Sequence, residues 1–275
     1  MFPAANLILA NADYFILVML RVSGLVISSP IFGRVNIPNI AKIGLALSLG
    51  FLFFVTFPQT ENLYYTTLVG FLLLCAAELL LGMALAYVSN VFFSMTVFTA
   101  GQLIDMQIGF GIVNVFDAQN QTQAPMMGTV LNIMMLIVFF LVNGHLRLIE
   151  IIYITVEGMP IGSLVISYAI GLAALEVFVR AFMLGVMMAL PIIASGLTLE
   201  IGFGMMMRAV PQLHMFVVGI PLKMLVGLIV FAITIPVFAN FTDRIFTEMF
   251  LGIDHMFAAF AGELPIQEPT PVQLP

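Results

Sequence analysis

Long runs of apolar residues separated by short polar breaks form the main pattern along this chain. About 18 residues of α-helix rise ~27 Å, close to the ~30 Å hydrocarbon core of a bilayer. The third run, residues 66–103, is too long for one perpendicular crossing, which predicts a kinked pair or a helix that extends beyond the bilayer. The fifth run is predicted to break at Pro191, and residues 150–162 are predicted to form a loop. In total the pattern predicts about six apolar spans, at residues 7–29, 43–60, 66–103, 129–142, 163–199 and 213–241.

Breaks within the apolar sequence form the second part of the pattern. The phrase Ile-Gly-Phe-Gly occurs twice, at residues 108–111 and 201–204. We expect the first copy to lie in a polar, Gly-bearing break at residues 105–125, and the second to form a break together with Pro211. Hydrocarbon cannot bond freed N–H and C=O groups, so such a break must be shielded by protein or line a cavity. The two breaks therefore predict a chain that surrounds a passage.

Composition sets the class of protein. Hydrophobic residues make up 62% of the 275 residues and charged residues only 8%, against roughly 25% charged in soluble domains. Lipid or partner subunits must cover so much apolar surface. We therefore expect an all-α, integral membrane-type protein with long, broken or kinked apolar helices and re-entrant breaks. One domain is expected at residues 1–262, followed by a disordered, Pro-rich tail at residues 263–275.

Several classes of function are excluded by what the sequence lacks. Eight Lys and Arg residues spread along the chain cannot form a nucleic-acid patch. Cys75 is the only cysteine, which excludes an internal disulfide and a CxxC site. The three histidines lie far apart, and no HExxH, phosphate loop or GxSxG motif is present. We therefore predict no enzyme, no cofactor and no metal site.

Charged residues within apolar runs are the first candidates for function. Each costs roughly 2.5–3.5 kcal/mol if it faces lipid, so it should pair, snorkel or face a wet interior. Glu176 and Arg180 are spaced i,i+4 with the acid first, which predicts a helical ion pair. Three interpretations stay open: the charges hold helices together, they relay protons or ions, or they lie in a protein complex outside the bilayer. The set comprises Arg21, Glu78, Glu176, Arg180, Glu200, Arg208 and Lys223.

The first Ile-Gly-Phe-Gly break is the second candidate. Gly109 and Gly111 permit backbone conformations closed to other residues, and an apolar run follows that ends at Asp117. The residues alone leave open a packed re-entrant turn and a flexible apolar plug across a pore. The plug residues would be Ile108, Gly109, Phe110, Gly111, Ile112, Val113, Val115, Phe116 and Asp117.

Methionines are the third candidate, because the chain holds 20 of them. Methionine is unbranched and soft, so filling irregular gaps in the core is its default role. The triplet Met205, Met206 and Met207 directly follows the second Ile-Gly-Phe-Gly. Its alternative role is a deformable seal that lines a constriction.

An ordered set of short phrases spans almost the whole chain. No single phrase is specific, but in their order and spacing they resemble the FliR family of the flagellar type III export gate. The phrases are residues 20–24, 30–32, 38–42, 100–109, 143–145 and 211–216, with Asp117, Gly219, Pro221, Lys223 and Gly227.

This resemblance implies an all-helical subunit that joins FliP-family and FliQ-family subunits in a hetero-oligomeric, pore-enclosing complex and contacts an FlhB-family protein. It implies a place in the flagellar basal body at the bacterial inner membrane, with a core largely above the bilayer. Unfolded flagellar proteins would pass through, and the loop at residues 107–123 would act as the plug.

Two alternatives stay open beside this hypothesis. One is the homologous gate of a virulence injectisome, which the sequence does not separate from the flagellar gate. The other is a secondary transporter, whose midplane site is built from broken helices in related halves. The flanks of the two repeated phrases argue against the transporter, because Asp105 and Glu200 stand at different distances from the glycines.

Overall fold

The computed structural model describes residues 11–57, 65, 67–110, 125–162, 164, 167–209 and 219–262. All the elements within these residues are α-helices, so the predicted all-helical class is confirmed. The seven helices of the described residues are α1 (Ala12–Ser28), α2 (Asn39–Thr56), α3 (Leu68–Ile108), α4 (Met126–Leu141), α5 (Gly144–Gly158), α6 (Tyr168–Ala209) and α7 (Ile220–Ala261).

Four of the helices in the described ranges are long and apolar enough to cross a membrane: α2, α3, α6 and α7. The pair α4 and α5, bent by 65°, passes the same test when taken together, which raises the number to five. The sequence pattern predicts about six spans. α1 begins after Asn11 and has 17 residues, and residues 7–10 of the first predicted span lie outside the described part.

Backbone geometry explains where three of these helices begin or end. α2 begins after Pro38, whose missing N–H is no loss at a helix N-terminus. α3 ends at Ile108 because Gly109 takes φ 101°, a conformation that glycine adopts readily. α4 and α5 meet at Asn143, whose φ of 55° lies in the left-handed region that Asn tolerates better than most residues.

The loop predicted at residues 150–162 is wrong over most of its length, because α5 runs to Gly158. Leu148, Ile151, Ile152 and Thr155 are buried at helical spacing, whereas Glu150 is exposed. Glu150 and Glu157 therefore lie on the outer face of an amphipathic helix.

The predicted breaks at Pro191 and at residues 201–204 are also wrong, because α6 is one helix of 42 residues through both. A glycine within a helix costs only about 1 kcal/mol, and a proline about 3 kcal/mol, which packing along a long helix can offset. The third apolar run forms α3, a single helix of 41 residues and about 60 Å long. The two Ile-Gly-Phe-Gly phrases are therefore not equivalent, and only the first lies at a helix end.

The chain forms two compact units. The first takes its described residues from Met1–Asn90, Asn143–Val177 and Met249–Pro275, and the second from Val91–Val142 and Phe178–Glu248. α1 fills the first unit with side chains such as Leu17 and Val18, which are fully buried. In the second unit, Phe93, Phe139 and Phe246 form an aromatic cluster with centroids 5.3–5.6 Å apart. The predicted single domain stays a prediction, and its expected tail at residues 263–275 lies outside the described residues.

Candidate functional site

A buried ion pair forms the polar centre of the first unit. Arg21 on α1 is 1% exposed and Glu78 on α3 is 0% exposed. The guanidinium Nε lies 2.6 Å from Glu78 Oε2 and Nη2 lies 3.1 Å from Oε1. This bidentate arrangement is the strongest geometry for an arginine and a carboxylate.

The remaining polar atoms of this pair bond to the chain around the end of α5. Arg21 Nη1 donates to the carbonyl oxygens of Thr155 at 2.8 Å and Met159 at 3.0 Å. The N–H of Gly162 donates to Glu78 Oε1 at 2.7 Å. A positive charge at a helix C-terminus is favourable, since the last carbonyls have no partner within the helix. The ion pair therefore joins α1, α3 and α5.

Two glycines allow α1 and α3 to approach closely beside this pair. A Cβ atom on Gly24 would lie only 2.7 Å from the carbonyl oxygen of Leu79, and one on Gly82 would overlap the carbonyl oxygen of Arg21. Both neighbours are backbone atoms that cannot move aside. The short ion pair therefore depends on backbone contact between the two helices.

Two ion pairs among the described residues of the second unit are partly exposed. Arg180 Nη1 lies 3.2 Å from Glu248 Oε2, with the side chains 34% and 28% exposed. Lys223 Nζ lies 2.5 Å from Glu200 Oε1, with the side chains 19% and 41% exposed. Arg208 is exposed in the last turn of α6. The predicted pair of Glu176 and Arg180 stays a prediction.

The end of α3 is the start of the predicted plug. Ile108 is fully buried, Gly109 has positive φ and Phe110 is half-buried. The remaining predicted plug residues lie outside the described part of the chain: Gly111, Ile112, Val113, Val115, Phe116 and Asp117. The structure therefore gives the origin of the segment, and the plug itself stays a prediction.

The last turns of α3 pack closely against glycines of neighbouring helices. A Cβ atom on Gly227 of α7 would lie 2.8 Å from Ile108 Cγ1, and one on Gly196 of α6 would overlap the side chain of Gln107. A Cβ atom on Gly101 of α3 would lie 2.5 Å from Gly128 Cα of α4. The end of α3 is therefore fitted against three helices of the second unit.

A small cavity lies beside this contact, lined by residues that include Gln107, Ser195 and Lys223. Its volume of about 10 Å³ leaves room for roughly one water molecule. Within the described residues, no group of three His, Cys, Asp or Glu side chains could hold a metal ion. This cavity therefore offers no small-molecule site.

The sequence matches the bacterial export proteins, family 1, over residues 12–249. The chain belongs to this family. It is 31% identical to the flagellar biosynthetic protein FliR of Escherichia coli K12, over 90% of this chain and 92% of the relative. It is 31% identical to the protein of that name from Bacillus subtilis 168, over 85% of this chain and 90% of the relative. The protein of that name from Aquifex aeolicus is 26% identical over 87% of this chain.

These relatives confirm the resemblance to the FliR family that the ordered phrases predict. The match to the bacterial export proteins, family 1, includes both the buried ion pair and the end of α3. It ends at residue 249, before the last part of α7.

In this member of the bacterial export proteins, family 1, some methionines are buried and others are exposed. Met127, Met135 and Met188 are buried and fill the core, as is the default for this residue. The triplet at residues 205–207 is instead 64%, 48% and 38% exposed on α6. The triplet therefore does not fill the core of this chain, and the predicted seal stays a prediction.

Sequence reasoning missed the residues that fix the end of α3. Asp105 accepts a hydrogen bond from the N–H of Met127 on α4, with 3.1 Å between Oδ1 and N. An isolated glycine inside a helical pattern often has a packing reason. Gly196 and Gly227 carried that signal, but no local pattern shows which side chain each glycine receives.

Proposed function

We propose that this chain is a pore-forming subunit of the flagellar type III protein-export gate, which conducts unfolded flagellar proteins across the bacterial inner membrane. The observation that carries the proposal is the match to the Escherichia coli relative along 90% of this chain. The three relatives described above are named as flagellar biosynthetic proteins, which favours the flagellar gate over the injectisome gate.

The surface of the chain supports a role inside a larger complex. α2 and α7 carry large apolar side chains in the open, and Ile40, Ile43 and Ile233 are 85%, 59% and 71% exposed. Such a surface needs lipid or partner subunits to cover it. We propose that FliP-family and FliQ-family subunits provide part of that cover and that an FlhB-family protein contacts the complex in the flagellar basal body.

The partly exposed ion pairs support surroundings more polar than lipid tails. Arg180 and Glu248 lie in long apolar helices and are each about one-third exposed. An exposed charge at bilayer depth is unfavourable unless it faces protein or water. Their positions therefore favour a surface that packs on protein or faces an aqueous passage.

The proposed role is structural, and in this role the chain catalyses no reaction. The segment that begins at Gly109 acts as an apolar plug, with Phe110 and Phe116 as its large residues. The closed state of the gate then depends on this segment remaining across the passage.

Shortening the plug tests the proposal. We expect deletion of residues 110–116 to make cells permeable to small solutes while the complex still assembles. Deletion of residues 266–272 from the Pro-rich tail, equal in length, is the matched control and should leave permeability unchanged. Assembly is measured by copurification of the chain with two other small membrane proteins.

Two outcomes would contradict the proposal. If the complex assembles without residues 110–116 and ion permeability is unchanged, the chain does not supply the plug. If removal of the whole chain leaves motility and flagellar export intact, the flagellar role is wrong.

A further inference from the structure

We infer that Asp105 is a positioning residue that fixes the start of α4 against the end of α3. Its carboxylate replaces the N-terminal cap that α4 lacks, and it acts through Met127. The functional consequence rests on the proposed function, since α3 and α4 are the helices on either side of the proposed plug. The structural consequence is independent of it.

The first turn of α4 needs an acceptor from elsewhere. The N-cap position is Pro125, whose side chain has no oxygen to accept a hydrogen bond. The N–H of Thr129 donates to the carbonyl of Pro125 at 3.0 Å, so the N–H groups before Thr129 precede the ladder of the helix. Asp105 Oδ1 takes one of these groups, the N–H of Met127, at 3.1 Å.

Burial makes this bond hard to replace by water. Asp105 is 1% exposed. The backbones of the two helices touch at Gly101 and Gly128, where an added Cβ would lie 2.5 Å from the opposite Cα. The hydrogen bond and the close packing therefore both act at this junction.

Asp105 is not explained by the stability of the helix pair alone. Its Oδ2 atom has no hydrogen-bond partner within the part of the chain that the structure describes. A buried carboxylate that is only half satisfied is unfavourable, and an apolar side chain here would avoid that penalty. The directional bond to Met127 provides what an apolar contact cannot, namely a fixed register between the two helix ends.

The contacts next to Asp105 are made with other helices. Gln107 and Ile108 pack against Gly196 and Gly227, which belong to α6 and α7. Asp105 supplies a polar contact from this end of α3 to the first turn of α4.

Two variants of Asp105 separate the hydrogen bond from the charge. Asp105→Asn keeps an oxygen acceptor for Met127, whereas Asp105→Ala removes it. Asp254→Ala on α7 removes an exposed carboxylate and is the matched control. Amide hydrogen exchange of residues 126–129 is measured in the complex purified from cells, and solute permeability is measured in the cells. Deletion of residues 110–116 provides the reference for a leaking gate.

We expect Asp105→Ala to speed exchange at Met127 by about tenfold, the effect of losing an N-cap, and to increase permeability. Asp105→Asn and Asp254→Ala should change neither quantity. Unchanged exchange in Asp105→Ala overturns the inference. Faster exchange without leakage, in cells where the deletion does leak, overturns the functional consequence and leaves Asp105 as an anchor of α4 alone. If the deletion itself does not leak, the proposed function fails, and the exchange data alone decide whether Asp105 anchors α4.

Discussion

Two buried polar sites among the described residues are built in opposite ways. The pair of Arg21 and Glu78 in the first unit is bidentate, fully buried and supplied with further backbone partners. Asp105 in the second unit is equally buried but has one bonded oxygen and one oxygen without a partner among the described residues. A fully satisfied buried network makes a region rigid, whereas a half-satisfied one is a weak point.

This contrast indicates where the structure can open locally. The ion pair of Arg21 and Glu78 fixes α1, α3 and α5 in the first unit. Removal of one partner would leave the other charge buried without a countercharge. Asp105, whose carboxylate is only half satisfied, lies in the last turn of α3, close to the positive φ of Gly109. We therefore expect substitutions in the first cluster to lower stability and substitutions in the second to act on local opening.

Removing one partner of the buried pair is the strongest test of this comparison. Glu78→Ala leaves the guanidinium of Arg21 buried without a countercharge. We expect a loss of about 3–5 kcal/mol in the free energy of unfolding. Unfolding of the purified protein in detergent, followed against temperature or denaturant, measures this loss.

The double variant Arg21→Met with Glu78→Leu is its control. Replacement of both charges by apolar residues removes the unpaired charge but also removes the partners of the Thr155 and Met159 carbonyls and of the Gly162 N–H. Part of the lost stability should therefore return. A double variant no more stable than Glu78→Ala would mean that charge is not the cause.

Filling the glycine contact between α1 and α3 should have the next largest effect. In Gly24→Ala the new Cβ would lie 2.7 Å from the carbonyl oxygen of Leu79. Because this neighbour is backbone, the helices must separate, and we expect a loss of about 1–3 kcal/mol. The matched control is Gly44→Ala on α2, where the added Cβ meets no atom within 4 Å. Equal midpoints of thermal unfolding for the two variants would contradict the close contact.

Substitution by alanine should be tolerated better at Gly227 of α7, which faces the end of α3. Gly227→Ala places its Cβ 2.8 Å from Cγ1 of Ile108, which is a side-chain atom, with the backbone Cα of Ile108 farther away at 3.4 Å. We expect a loss near 1 kcal/mol, at the lower limit for overpacking, and faster hydrogen exchange confined to the last turn of α3. Gly202→Ala on α6, with no atom within 4 Å, is the control. A loss as large as that of Gly24→Ala would remove the distinction between the two contacts.

Local patterns predicted the class of the fold and the type of several site residues, but not their partners. Apolar run lengths located α2, α3 and α4, and the charges within the apolar runs identified Arg21 and Glu78 as candidates. Their pairing joins residues 57 positions apart, and no periodicity contains that information. Most of the loop predicted at residues 150–162 is instead part of α5, whose buried residues recur at helical spacing.

The second Ile-Gly-Phe-Gly also shows that a local sequence pattern does not determine the local structure. Residues 108–111 and 201–204 have identical sequences, yet the first marks a helix end and the second lies within α6. Gly109 has φ 101° where α3 is fitted against Gly227, whereas a Cβ added at Gly202 or Gly204 would meet no atom within 4 Å. Tertiary contact therefore decides which copy becomes a break, and a local phrase cannot show it.

The exposed pair of Arg180 and Glu248 should show the smallest effect and tests the surroundings of the second unit. With the side chains 34% and 28% exposed, Glu248→Gln should change the free energy of unfolding by about 0–1 kcal/mol. Added salt should reduce the difference between Glu248→Gln and the parent, because mobile ions screen such a pair. A loss of several kcal/mol that salt does not change would place the pair in a dry environment. The partly exposed pair would then resemble Arg21 and Glu78, and the contrast between the two units would rest on Asp105 alone.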